Sequence, residues 1–121
     1  HWVHGCIKPG LSFDWDDVCV GADSGYYAIA IAVLLGAKKI ILLGYDMGHG
    51  ADGKTHFFGD HPPNLRNNSP YHLFIERYET IPRWCAENDV QIFNSSRQTR
   101  LGCFNKANVR DAYNNLAGVF K

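Results

Sequence analysis

This chain has no surplus of charge: 12 Lys and Arg balance 12 Asp and Glu, and the formal net charge is zero. Without a global field of either sign, its bulk charge does not draw it to nucleic acid or to an anionic membrane. A long hydrophobic run is also missing. The longest, Tyr26 to Gly36, falls well short of the about 20 residues a bilayer span needs. Cys6, Cys19, Cys85 and Cys103 form no C-x-x-C pair, which excludes a zinc ribbon or a thioredoxin-type motif. Cys19 and Cys85 lie in apolar segments, where a free cysteine serves as a small core residue. Four cysteines in a short chain could close two disulfides, but reduced thiols and a cytoplasmic setting are the expectation. There is no G-x-G-x-x-G, no G-x-x-x-x-G-K-[ST], no repeat and no linker. The chain opens on His1-Trp2-Val3 rather than Met, so a trimmed product lacking an N-terminal portion is expected. What is present is 121 residues, 45% hydrophobic and 20% charged. That composition excludes disorder as the main state and suits one domain over residues 1–121.

Trp2 to Ile7 reads as a short strand, stopped by Lys8-Pro9-Gly10. After an acidic turn at Asp14, Asp16 and Asp17, Val18-Cys19-Val20 reads as a second strand. The loop Gly21-Ala22-Asp23-Ser24-Gly25 offers Asp23 or Ser24 as a helix N-cap. The helix it opens, Tyr26 to Leu35, is apolar nearly all round and is expected to be heavily buried, with Gly36 ending it. The unbroken run Ile40-Ile41-Leu42-Leu43-Gly44 has the pattern of a central parallel strand, giving a right-handed βαβ unit. A long loop from Tyr45 to Ser69 follows, of a length that usually carries function. Ser69-Pro70 then predicts a helix to about Asn88, with Ser at the cap and Pro at the first helical position. Leu73, Phe74, Tyr78, Ile81, Trp84 and Cys85 share one face of it, and Pro82 should kink it. Val90 to Asn94 is the next strand, and Asn105 to Phe120 reads as a closing helix. Alternating strands and helices predict an α/β fold. The expected architecture is a small, mostly parallel Rossmann-like sheet flanked by helices, either complete or the C-terminal part of a larger domain.

In open parallel sheets, ligands bind beyond the carboxyl ends of the strands. Gly21 to Gly25, Gly44 to Gly50 and Asn94 to Ser96 all fall there. The first could seat a phosphate on helix-N-terminal amides, or be an ordinary tight turn with a polar cap. Asp46, just past its strand, could bond a ribose, hold a metal or cap its own loop. His49, His56 and His61, interleaved with Asp46, Asp52 and Asp60, are metal-ligand types. They share no helical spacing, so no metal is expected. Phe57-Phe58 suggests that this loop folds down as a lid or a pocket wall. His72, in a helix's first turn, would be kept neutral by the helix dipole and suited to general-base work, or else is simply solvent-exposed.

Ser24-Gly25-Tyr26-Tyr27-Ala28, the run Leu35 to Met47, His56 to Pro62, Tyr71, Asn94-Ser95-Ser96, Leu101 and Phe104 occur in an order that resembles a known group. That group is an uncharacterised family of phage and prophage proteins with a Rossmann-like fold. It is related to the 6-hydroxymethylpterin diphosphokinase-like family and, more distantly, to bacterial sialyltransferases. The resemblance implies that Ser24 and Gly25 contact a nucleotide donor, and that Gly44 and Asp46 match the family's Gly-x-Asp. It further implies that His72 is the base deprotonating the acceptor hydroxyl, that Asn94 to Ser96 line the donor pocket, and that no metal is required. Where that family has paired tyrosines, this chain has His56, Phe57 and Phe58.

The expected function is thus a nucleotide- or nucleotide-sugar-dependent transferase. Gly21, Asp23, Ser24, Gly25, Gly44, Asn94, Ser95 and Ser96 would hold the donor, with His72 and Asp46 catalytic. One alternative is a non-catalytic phage-associated binding or structural protein on the same fold. Another is a metal-dependent hydrolase built on His49, His56, His61 and Asp46. Partners are expected to be the nucleotide donor and a second copy in a symmetric dimer, since so small a chain has few helices to cover its apolar elements. No nucleic acid and no membrane span are expected. The compartment is the cytoplasm, that of the host if the protein is phage-encoded.

Overall fold

The apolar runs become short parallel strands. The computed structural model describes residues 5–6, 8–19, 23–50, 52–54, 62–65 and 70–117. In it β1 (Gly5–Cys6) pairs with β2 (Val18–Cys19), and β3 (Lys39–Leu42), β4 (Gln91–Asn94) and β5 (Asn105–Lys106) form a second sheet in that order. Every pairing is parallel. The helices are α1 (Ser24–Leu34), α2 (Tyr71–Tyr78), α3 (Ile81–Asn88) and α4 (Val109–Ala117). Here α1 packs on β2, α3 on β4 and α4 on β3. The result is a mixed α/β structure around a three-stranded parallel sheet. No described helix is long and apolar enough to cross a membrane.

Several elements differ from the sequence expectation. Among the described residues no ladder joins β2 to β3, so the expected βαβ unit does not close within one sheet. Among the described residues β4 is the central strand of its sheet and β3 an edge strand, half-buried until Leu42. β4 is central because β5, over residues expected to begin the closing helix, pairs along its far side. Asn105 and Lys106 carry no hydrophobic pattern, and they become a strand by pairing with Phe93 and Asn94. The chain gets there through Ser95 to Phe104 without a crossover helix.

The single helix expected after Pro70 is two. Pro82 has no N–H to donate, and its ring would meet the carbonyl four residues back. Accordingly α2 stops at Tyr78, and Pro82 falls in the first turn of α3, where a missing donor costs nothing. Pro70 takes the N-cap position rather than the first helical one. The expectations that fall on residues 1–4, 7, 20–22, 51, 55–61, 66–69 and 118–121 lie outside the described residues.

Along α1, Tyr26, Ile29, Ala30 and Val33 form one buried stripe. The opposite face is not covered: Tyr27 and Ile31 are exposed and Leu35 is 73% exposed. The helix closes as expected around glycine. Gly36, at φ +93, donates to the carbonyl of Val33, and Ala37 donates to that of Ala32, both at 2.9 Å. This double bond pattern satisfies the last carbonyls.

At the other end of α1 a polar cluster joins distant segments. Asp23 caps the helix by accepting from the Tyr26 amide at 3.1 Å, and the same carboxylate oxygen accepts from the Tyr78 hydroxyl at 2.8 Å. The Tyr26 hydroxyl donates to the Gly10 carbonyl at 2.7 Å, and that of Tyr45 to the Gly25 carbonyl at 3.0 Å. The Tyr26 and Tyr45 rings both stand roughly edge-on to Tyr78. Gly25 sits where these groups converge. A Cβ there would lie 2.8 Å from the Tyr78 hydroxyl and 2.9 Å from both Asp23 Oδ1 and the Tyr45 ring. Gly25→Ala should therefore destabilise the fold by about 1–3 kcal/mol. The check is a lower urea midpoint at unchanged slope. Exposed Ser24→Ala should move it by less than about 0.5 kcal/mol.

Candidate functional site

Parallel register brings Leu42, Asn94 and Lys106 into one row across the sheet. The residues just past that row line a cleft of about 760 Å³. Leu43, Gly44 and Asp46 follow β3, Ser95, Ser96 and Arg97 follow β4, and Lys106 to Val109 run from the end of β5 into α4. This is the carboxyl edge of the sheet, where parallel α/β folds bind ligands. It is large enough for a nucleotide-sized molecule.

One buried side chain shapes the walls. Asn94 is fully buried. Its carbonyl oxygen accepts from the Ser96 amide at 3.0 Å, and its Nδ2 donates to Thr99 Oγ1 at 3.2 Å. Thr99 donates onward to the Tyr45 carbonyl at 2.6 Å, while Ser96 Oγ accepts from the Tyr45 amide at 2.8 Å. The Arg100 amide donates to the Asp46 carbonyl at 2.9 Å. The 44–46 loop is thus tied to the 95–100 loop at both faces of one peptide unit pair. Gly44 bends the chain at φ +75, a conformation glycine adopts without strain.

Three charged side chains line the cleft: the Asp46 carboxylate and the Arg97 and Lys106 cations, all solvent-accessible. None of them takes part in an ion pair among the described residues. The turn between β5 and α4 ends on Asn108, whose Oδ1 accepts from the Asp111 amide at 2.9 Å as an uncharged N-cap. Ser95 Oγ is buried at this wall without a hydrogen-bond partner among the described residues.

The structure brings together Gly44, Asp46, Ser95 and Ser96 of the residues singled out in the sequence, with Asn94 directly beneath them. Asp23, Ser24 and Gly25 do not line the cleft. They lie behind Tyr45, whose ring contacts Gly25 and whose backbone belongs to the cleft wall. The Tyr45 and Tyr78 hydroxyls are both pushed above the ordinary tyrosine range, first by burial and then by Asp23. Both remain protonated donors. Gly21 lies outside the described residues. His72 is exposed in the first turn of α2 and is not part of the cleft lining. Its neighbour Tyr71 stacks edge-on with His49 at 5.6 Å.

For the metal alternative, His56, Asp60 and His61 lie outside the described residues. Asp52 pairs with Lys54 at 3.3 Å in a tight turn. Among the described residues no three metal-ligating side chains gather. Sequence reasoning missed Arg97, Lys106 and Asn108. The signal for the last was present: Asn108 with an acidic residue three places on is a capping pattern that starts a helix.

A second cavity, of about 270 Å³, lies between α3 and the sheet and is lined by Cys85 and Cys103 among apolar groups. Burial pushes both thiols up to about 11, with Glu79 and Cys85 adding to the effect on Cys103. Alkylation of either thiol near pH 8 should run at least about 10² slower than for a free cysteine and accelerate with rising pH. Peptide mapping after iodoacetamide pulses measures this. Because these folded-state values are raised, their contribution to stability is complete below the ordinary thiol value and is lost as pH climbs to about 11.

Comparison of the chain with protein-family models, curated proteins and solved structures returns no match to any of them.

Proposed function

We propose that this chain binds a nucleotide or nucleotide sugar at the carboxyl edge of a Rossmann-like sheet and serves as a transferase domain of glycosyltransferase type. The observation that carries the reading is the cleft itself. Three parallel strands end on one opening of about 760 Å³ with two cations and one carboxylate on its walls. That balance favours a small anionic ligand, and the Asp46 carboxylate supplies an acceptor for hydroxyl groups beside it. In the proposed transfer, the acceptor hydroxyl gives its proton to Asp46, its oxygen bonds to the anomeric carbon, and the nucleotide leaves with the electron pair of the broken bond. His72, outside the lining, is not given the base role in this reading. The proposal needs no metal.

The uncovered α1 face of Tyr27, Ile31 and Leu35 supplies the apolar surface for the proposed two-fold contact with a second copy. Light scattering should then give twice the chain mass, and Ile31→Lys should halve it.

A thermal-shift series with nucleosides, nucleotides and nucleotide sugars tests the ligand. A ligand at 100 times its Kd should stabilise the fold by about 2.7 kcal/mol. Nucleotides should raise the Tm where nucleosides do not, and Asp46→Asn should abolish transfer while leaving nucleotide binding in place. No shift with any nucleotide at millimolar concentration would remove the reading.

A further inference from the structure

We infer that the anionic part of the ligand is seated at the amino end of α4, between Arg97 and Lys106, and that the amino end of α1 is not an anion site. The inference rests on the proposed nucleotide reading only for what the phosphate is attached to. The seat itself follows from the cleft.

The two helix starts differ in what already occupies them. At α1 a carboxylate is the cap: Asp23 takes the Tyr26 amide and is held there by the Tyr78 hydroxyl. A phosphate approaching the same amides would meet that carboxylate, so the turn is filled by the protein's own acid. At α4 the cap is the neutral Asn108 side chain. It takes the Asp111 amide, and its main-chain carbonyl takes that of Ala112. The amides of Val109 and Arg110, in the first turn, have no partner within the helix. They carry the partial positive charge of a helix start.

Independent features converge on the same wall. Lys106, two residues before the cap, and Arg97, from the loop after β4, line the cleft. Neither is neutralised by an ion pair among the described residues. Ser95 lines it too, and its buried hydroxyl has no partner among the described residues. Buried hydroxyls are seldom left unpaired in folded proteins, and a phosphate oxygen would supply the missing acceptor. The one opposing charge on the helix, Asp111, has its carboxylate engaged by the Asn108 side-chain amide. Asp46 lines the same cleft from the β3 side. It repels an anion and accepts from hydroxyls, so the ligand is oriented with phosphate toward α4 and its sugar toward Asp46.

The test titrates inorganic pyrophosphate into the isotope-labelled chain and follows backbone amides by NMR. Saturable shifts are expected at Val109, Arg110 and Ser95 to Arg97, with none at Ser24 to Tyr26. Arg97→Ala and Lys106→Ala, both at exposed positions, should each weaken binding about tenfold, the scale of one charge-assisted hydrogen bond. Binding should also weaken as salt rises. Shifts confined to residues 24–26, no saturable binding, or variants that bind as tightly as the parent would each overturn the seat. Pyrophosphate bound at α4 with no nucleotide binding more tightly supports the seat and removes the nucleotide reading. Nucleotide binding that ignores both substitutions keeps that reading and overturns the seat.

Discussion

A side-chain amide buried inside a sheet must find all its hydrogen-bond partners within the protein, because leaving them unmade in a dry interior is costly. Asn94 is such a group, and it meets the requirement by gripping the loop that follows it. Through Ser96 and Thr99 that loop grips Tyr45, and through the Arg100 amide it holds Asp46. A cleft whose walls came from unrelated loops would otherwise vary in shape. Here one polar residue at the end of the central strand links two of its three walls, and the paired strand β5 sets the third.

Tyr45 carries this constraint to the amino end of α1. Its backbone belongs to the cleft, while its ring and hydroxyl belong to the cluster at the start of α1. There Asp23, Tyr26 and Tyr78 pack so closely around Gly25 that even a methyl group would force them apart. Polar groups close the space at α1, whereas at α4 a neutral cap and two cations with no ion pair among the described residues border a cleft open to solvent. The asymmetry is electrostatic as well as steric. A carboxylate satisfies one helix start from within, and an anion from outside can satisfy the other.

The cysteines show the opposite use of burial. Cys85 and Cys103 line an apolar cavity in which the charged thiolate is disfavoured, so both behave as small hydrophobic groups rather than nucleophiles.

Local signals in the sequence were sufficient for much of this. The Asp23 cap, the Gly36 terminus, the β3 run and the polar end of β4 depend on residues within a turn of each other, and each formed where the pattern placed it. The grouping of Gly44, Asp46, Ser95 and Ser96 was likewise legible, because strand carboxyl ends share an edge in any parallel sheet. Tertiary structure alone decided the rest. Asn105 and Lys106 are a strand only because β4 offers them a ladder, and that pairing makes β4 central and brings Lys106 and Asn108 to the cleft. Tyr45 stands between the cleft wall and the Ser24–Gly25 turn, a relation set by residues far apart in the chain. Hydrophobic period and helix caps are properties of neighbouring residues and can be read in order. Strand order, register and the meeting of loops are decided by pairings between distant segments, which only the folded chain can make.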